Sequence, residues 1–267
     1  MGLTVADVGE FELIARLKNT VGQSRDGAVG IGDDGAVLAP PADRAARLVV
    51  TTDTMVEGRH FRRDYTTFFE LGLKLMAVNL SDLAAMGAAP AAATVTLQLP
   101  SDLAVDEVES FYRGLLQAAG TVQIVGGDTV QSETLAVGLT AFGWAVRPIL
   151  RSMACVGDDL WVSGALGGGG LGLAICRGEV DASTLPDRGS AALQRYRTPV
   201  ARTELGLQLV GMASAAIDVS DGLLQDVGHL ARLSGVDVVV VLDEVPLVVG
   251  CDSAIAAVTA GDDYRCV

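Results

Sequence analysis

Aromatic residues make up only 4% of this 267-residue chain and histidine occurs twice. No run reaches the 18 or more uninterrupted apolar residues of a membrane-spanning helix, which excludes a helical membrane span. Basic residues are also scarce. Lys and Arg total 19 against 33 Asp and Glu, a net charge of -14. A surface of that sign repels nucleic-acid backbones and anionic lipid, so neither is expected as a partner. Cys155, Cys176, Cys251 and Cys266 form no CxxC pair. That argues against a zinc knuckle, a redox dithiol and a secreted disulfide framework, and predicts four buried thiols. GxxxxGK[ST] is missing, which excludes a P-loop enzyme, and GxSxG and a Cys–His pairing are missing too, so no hydrolase nucleophile stands out. Met1 to Lys18 carries Asp7, Glu10 and Glu12 where a signal peptide would be basic, and the expected location is the cytoplasm.

What is present is a hydrophobic half (50%) and 32 glycines. The first is ample for a folded core, and the second exceeds the usual share of roughly 7% without a collagen-like period. Phe11, Ile14, Leu17 and Val21 have helical spacing, and Gly22 to Gly35 reads as loop. Arg47 to Thr52 reads as a strand ending at Asp53. A helix follows from Leu71 to Met86, then a strand over Thr94 to Leu99 and a helix over Val105 to Ala119. Short and long strands are expected at Val122 to Val125 and Leu135 to Val146. A domain boundary is expected near residue 150, after Arg147-Pro148. Beyond it the pattern predicts strands at Asp158 to Ser163, Ala215 to Ile217 and Val236 to Leu242. Helices are expected at Leu171 to Cys176, Pro199 to Met212 and Leu223 to Leu233. The fold class is α/β (α+β) in two domains, 1–150 and 151–267.

Aspartates recur in one setting, at or just after an apolar strand or glycine loop: Asp33-Asp34, Asp53, Asp128, Asp218 and Asp221. Asp82 joins them from a helix, with Asn79 three residues earlier on the same face. Oxygen-rich clusters without nearby His or Cys suit Mg²⁺, which keeps waters and substrate phosphates in its shell. Each Asp alone is also a common turn or cap residue. Gathered at a dry site without cations these acids would repel one another, so either they do not gather or they bind metal.

Two segments match GxGxxG literally. Gly30 to Gly35 carries two acids where a pyrophosphate would sit and opens no helix, so that match is spurious. Gly167 to Gly172 follows a strand pattern and precedes a helix, and phosphate contact and a tight helix–strand turn account for it equally well. His60, just beyond Asp53, could touch a substrate ring, whereas His229 on the helix after Asp221 is expected to be structural.

In order along the chain come Gly30-Ile-Gly-Asp-Asp34, Thr51-Thr-Asp53 with Val56-Glu-Gly58 and His60-Phe61, Asn79-Leu-Ser-Asp-Leu-Ala-Ala-Met-Gly87, Gly126-Gly-Asp-Thr129 and Asp218-Val-Ser-Asp-Gly222. This series resembles the thiamine-monophosphate kinases over nearly the whole chain. Their superfamily includes aminoimidazole ribonucleotide synthetase, selenophosphate synthetase and a hydrogenase-maturation protein. The resemblance implies an N-terminal mixed-sheet domain that dimerises and a C-terminal α/β domain, with ATP and several Mg²⁺ ions. By motif match, Asp34, Thr51, Thr52, Asp53, Asp82, Asp128, Asp218 and Asp221 would hold metal. Gly127, Asp128, Arg151 and Ser220 would meet ATP, and His60 and Asp262 would face thiamine phosphate. Asp128, Arg151 and Asp218 would carry the catalysis, which is direct in-line phosphoryl transfer by a homodimer.

The family pattern Gly-Gly-Glu-Asp-Tyr-Glu-Leu is here Ala260-Gly-Asp-Asp-Tyr264 followed by Arg265-Cys-Val267. An aromatic that stacks on thiamine in relatives lies beyond this point, and the second domain is expected to be incomplete, with an unpaired edge. Two alternatives to the kinase are a non-catalytic ATP- and thiamine-phosphate-binding dimer, or truncated inactive copy, and another ATP-using enzyme of the superfamily. A selenophosphate synthetase is disfavoured because no cysteine precedes Cys155.

Overall fold

The computed structural model describes residues 3–22, 38, 40–43 and 45–267. Gly30 to Gly35, with Asp34, lies outside the described residues, as does most of the Gly22 to Gly35 segment. The chain divides into two compact units: unit 1 is residues 1–79 and 90–144, and unit 2 is residues 80–89 and 145–267.

Unit 1 begins with α1 (Val5–Val21), whose start is fixed by a capping box. Asp7 N–H donates to Thr4 Oγ1, and Asp7 Oδ2 accepts Thr4 N–H. Gly9, at φ 72°, breaks the helix and resets its phase. Leu13 and Leu17 therefore face inward and Phe11 is 85% exposed, which corrects the inward face expected from Phe11. The sheet is β1 (Arg47–Val56), β2 (Ala89–Leu99), β3 (Gln123–Gln131) and β4 (Ala136–Ala145), in the order β1-β4-β2-β3. β2 and β3 run parallel, with Val95 opposite Gly127 and Thr96 opposite Asp128. β1 and β4 run oppositely, since Glu57 N–H reaches Leu135 O while Thr52 Oγ1 reaches Leu139 O. The sheet is thus mixed. Two strands are longer than expected, so Asp53 and Asp128 lie within β1 and β3 and not at their ends.

Between the strands lie α2 (Phe68–Ala85) and α3 (Val105–Ala119). The buried positions of α3, Val105, Val108, Phe111, Tyr112, Leu115 and Ala119, recur at helical spacing, and Asp106 and Glu107 favour its positive N-terminus. α2 crosses α3 with the backbones touching: a Cβ on Gly72 would lie 2.1 Å from Phe111 O, and one on Gly114 2.0 Å from Phe69 O. The division between units falls within α2, after Asn79.

Unit 2 contains the last turns of α2, then α4 (Gly168–Cys176), α5 (Ser190–Arg197), α6 (Thr203–Leu209), α7 (Leu223–Ser234) and α8 (Ala254–Thr259). Its core joins Leu166, Val219, Leu223, Val227, Ala257 and Val258. Sequence periodicity missed α5 and α8, and the helix expected over Pro199 to Met212 is shorter. The strands expected at Asp158 to Ser163 and Val236 to Leu242 do not form. Those segments join no ladder among the described residues, leaving Trp161 77% and Val239 81% exposed. Ala215 to Ile217 forms only the start of a short antiparallel contact, in which Ile217 and Val267 exchange backbone hydrogen bonds. The cysteines also depart from expectation: Cys266 is buried, Cys176 and Cys251 are half-buried, and Cys155 is exposed.

Candidate phosphate and metal site

In unit 2 the end of α2 faces the segment leading into α7, where Ser81 meets Asp218. Asp218 is 2% exposed, and its Oδ2 accepts the Ser81 hydroxyl at 2.8 Å. Burial, reinforced by the charge of Asp82, pushes the Asp218 carboxyl up to about 7. The Ser81 hydrogen bond opposes this, Asp226 adds to it, and Arg151 opposes it again. A buried carboxylate beside two further acids is short of positive charge, and a cation would supply it.

Asp221 is exposed and accepts from Gln225 Nε2 at 3.0 Å. Ser220 is half-buried, and its carbonyl accepts the Asp262 N–H at 2.9 Å. Asp262 sits at φ 64°, a left-handed conformation that Asp tolerates better than most residues, and its Oδ1 accepts the Tyr264 hydroxyl at 2.8 Å. Unit 2 therefore brings Asp82, Asp218, Ser220, Asp221 and Asp262 into one neighbourhood, with Arg151 near enough to act on Asp218.

The remaining expected residues belong to unit 1. Thr51 and Asp53 share one face of β1, with Thr52 on the other. Thr52 Oγ1 donates to Leu139 O at 3.1 Å and accepts the Thr140 hydroxyl at 3.0 Å. Asp128 is exposed, and its Oδ1 accepts the N–H of Thr129 at 2.9 Å. Gly127 passes so close to β2 that a Cβ would lie 1.9 Å from Val95 O. Both line a cavity of ≈ 90 Å³ with Glu10 and Tyr112. β1 and β3 are the two edges of the sheet, with β4 and β2 between them, so Asp53 and Asp128 are not neighbours within it. His60 is exposed, and its Nδ1 accepts the Val56 N–H at 3.1 Å, which leaves the proton of the neutral ring on Nε2.

Among the described residues no three His, Cys, Asp or Glu side chains gather as a ready-made metal cage. Mg²⁺ is commonly bound through one or two carboxylates plus waters and substrate phosphates. The donors of the unit 2 neighbourhood are oxygens throughout.

The glycine-rich segment before α4 resolves in favour of tight packing. Asp263, 1% exposed, accepts the N–H groups of Gly167, Gly168 and Gly169 at 2.7, 3.0 and 3.1 Å. The chain's own carboxylate thus occupies the place a phosphate would take. A Cβ at Gly169 would lie 2.4 Å from Asp262 O, so the small residue is needed for close approach. The sequence reading missed Asp263, and also Asp226, whose Oδ2 accepts the N–H groups of Ser220 and Asp221 at 3.1 and 3.2 Å. An acid in the first turn of α7 was the available signal.

Comparison with known proteins gives the fold and the family. The model of the AIR synthase related protein N-terminal domain matches residues 32–145, and that of the C-terminal domain matches residues 156–258. The thiamine-monophosphate kinase of Salmonella typhimurium is 41% identical over 244 residues, covering 89% of this chain and 73% of the relative. That of Caulobacter vibrioides is 39% identical, covering 97% and 76%. The crystal structure of thiamine-monophosphate kinase from Stenotrophomonas maltophilia superposes with a TM-score of 0.83 at 40% identity, covering 97% of this chain and 85% of that one. A structure described as AaThiL complexed with AMPPCP and TMP gives 0.79 at 32% identity, covering 99% and 85%. The hydrogenase maturation protein HypE in complex with ATP, at 18% identity and a TM-score of 0.76, shares the fold. With relatives this similar matched over about three quarters of their length, the chain belongs to the thiamine-monophosphate kinase family.

Proposed function

We propose that this chain transfers the terminal phosphoryl group of ATP to thiamine monophosphate, forming thiamine diphosphate and ADP with Mg²⁺. The observation that carries the reading is Asp218, buried beside Asp82 and held by Ser81, an acidic oxygen site short of positive charge. The substrate assignment draws on the relatives named above, one of which binds AMPPCP, an ATP analogue, together with TMP.

An oxygen of the thiamine phosphate would attack the γ-phosphorus in line, and the bond to the β-phosphate bridging oxygen would break with its electron pair leaving on ADP. That acceptor phosphate has a second pKa of about 6 and is largely ionised at neutral pH, so no general base is required. Catalysis is then a matter of positioning and charge. Asp82, Asp218 and Asp221 would hold Mg²⁺ in unit 2, and Asp34, Thr51, Thr52, Asp53 and Asp128 would do so in unit 1. When bound, Mg²⁺ neutralises charge on the transferring group. Gly127, Asp128, Arg151 and Ser220 would contact ATP, Arg151 through its positive charge. His60, donating from Nε2, and Asp262 would orient thiamine phosphate. We further propose residues 1–150 as the ATP-binding and dimerisation domain, 151–267 as the C-terminal domain, a homodimer as the working form and the cytoplasm as its location.

The test is the 267-residue protein incubated with ATP, Mg²⁺ and thiamine monophosphate, followed by chromatography of thiamine phosphates. Thiamine diphosphate that forms with Mg²⁺ and not with EDTA supports the kinase. Folded protein that binds nucleotide with Mg²⁺ but yields no product overturns it in favour of a non-catalytic binding protein.

A further inference from the structure

Unit 2 pins the backbone between Asp218 and α7 from two sides. On one side Tyr264 N–H donates to Val219 O at 2.8 Å and Asp262 N–H donates to Ser220 O at 2.9 Å. On the other, the Asp226 carboxylate accepts the N–H groups of Ser220 and Asp221. Two successive peptide N–H groups thus converge on one side chain that is itself 3% exposed. Asp226 in turn donates its own N–H to Gly222 O at 3.0 Å, so α7 and the loop before it are tied in both directions.

The carbonyls of Val219 and Ser220 and the N–H groups of Ser220 and Asp221 are all engaged inside the protein. These groups are therefore closed to a ligand. We infer that Asp226 is a positioning residue for the phosphoryl-transfer site: its buried carboxylate shapes the Ser220-Asp221-Gly222 loop and so sets where the Asp218 and Asp221 carboxylates and the Ser220 hydroxyl stand. Asp226 does not touch substrate in this assignment. It acts through the peptide groups it holds, which a neutral side chain of the same shape holds more weakly, because hydrogen bonds to an ionised acceptor are roughly twice as strong as those to a neutral one. Mg²⁺ tolerates little departure from octahedral geometry, so a small shift of the loop is costly for the ion while leaving the core of α7 intact.

The inference rests on the kinase reading above, and the experiment separates the two. Asp226→Asn is compared with the unaltered protein in three measurements: amide hydrogen exchange over residues 219–223, the Mg²⁺ concentration giving half-maximal AMPPCP binding, and thermal unfolding. The expected result is exchange at 220–222 faster by at least tenfold and a Mg²⁺ midpoint raised by at least tenfold, with kcat at saturating Mg²⁺ reduced less than the affinity. A purely structural Asp226 would lower the unfolding temperature and leave the Mg²⁺ midpoint of the folded protein unchanged, which overturns the inference. So does unchanged exchange at 220–222, whether or not nucleotide binds. Should the unaltered protein fail to bind Mg²⁺ and AMPPCP, the kinase reading falls and the exchange result alone decides the role of Asp226. Asp226→Glu keeps the charge and displaces the anchor by one methylene. It serves if the Asn variant does not fold, with a smaller rise in the Mg²⁺ midpoint expected and an unchanged midpoint overturning the inference.

Discussion

Ser81 and Asp218 are 137 positions apart and share a buried hydrogen bond of 2.8 Å, hydroxyl to carboxylate. Ser81 is 1% exposed, so no solvent replaces it as a donor. Ser81→Ala should cost about 1–3 kcal/mol at pH 8, where Asp218 is charged and loses its hydroxyl partner. Urea unfolding measures this, and a change under about 0.5 kcal/mol would show the contact to be inert.

The Asp218 carboxyl titrates near 7 in the fold, against an ordinary value of 3.8. The native chain therefore holds a proton between those limits that the unfolded chain has released. Its contribution is full below about pH 4 and is lost as the pH rises through 7, amounting to at most about 4 kcal/mol. In EDTA, the unfolding temperature should fall from pH 5 to pH 8. Asp218→Asn should flatten that slope and be the more stable form at pH 8, because its amide still accepts from Ser81. An equal or steeper slope in the Asn variant would contradict the assignment.

Asp263 closes the N-terminus of α4 by accepting three glycine N–H groups, and it lies within the field of Arg195. Asp263→Ala leaves three buried donors without an acceptor and should cost about 3 kcal/mol or more by urea unfolding. A variant as stable as the parent would mean that the loop rearranges to satisfy itself.

Arg265 is 6% exposed and Arg202 is half-buried. Both guanidinium groups approach Gly164, within 3.3 and 3.5 Å of where a Cβ would stand. Among the described residues, the Nε atoms of both are buried without a hydrogen-bond partner. Two like charges with orphaned donors form an unfavourable pair. Arg265→Glu gives Arg202 an opposite charge and should raise the unfolding temperature by roughly 2 °C or more. A fall would show that Arg265 is already compensated.

Unit 1 was legible because alternation and helical spacing coincide with real partners: Arg47 to Thr52 and Thr94 to Leu99 are strands, and Val105 to Ala119 is a helix. Unit 2 was less so. Val236 to Leu242 has strand composition, but a strand exists only with a ladder beside it, and none forms there among the described residues. Phe11 misled because one glycine, Gly9, resets the helix phase. Asp218, Asp82, Ser220 and Asp262 stand in motifs; in the fold Asp82 acts on Asp218, and Asp262 bonds to the Ser220 carbonyl. Asp226 and Asp263 were missed because an acid turned inward to hold peptide groups looks, in sequence, like any other acid near a helix start. The glycines at 167–169 posed the converse problem, since a phosphate cradle and a carboxylate-capped turn have the same spelling.

Two glycine-bearing turns of unit 2, those leading into α4 and α7, are closed from within, one by Asp263 and the other by Asp226. Inorganic phosphate or sulfate should accordingly find no purchase there, and neither salt should shield the apoprotein from heat in a manner that these turns could mediate.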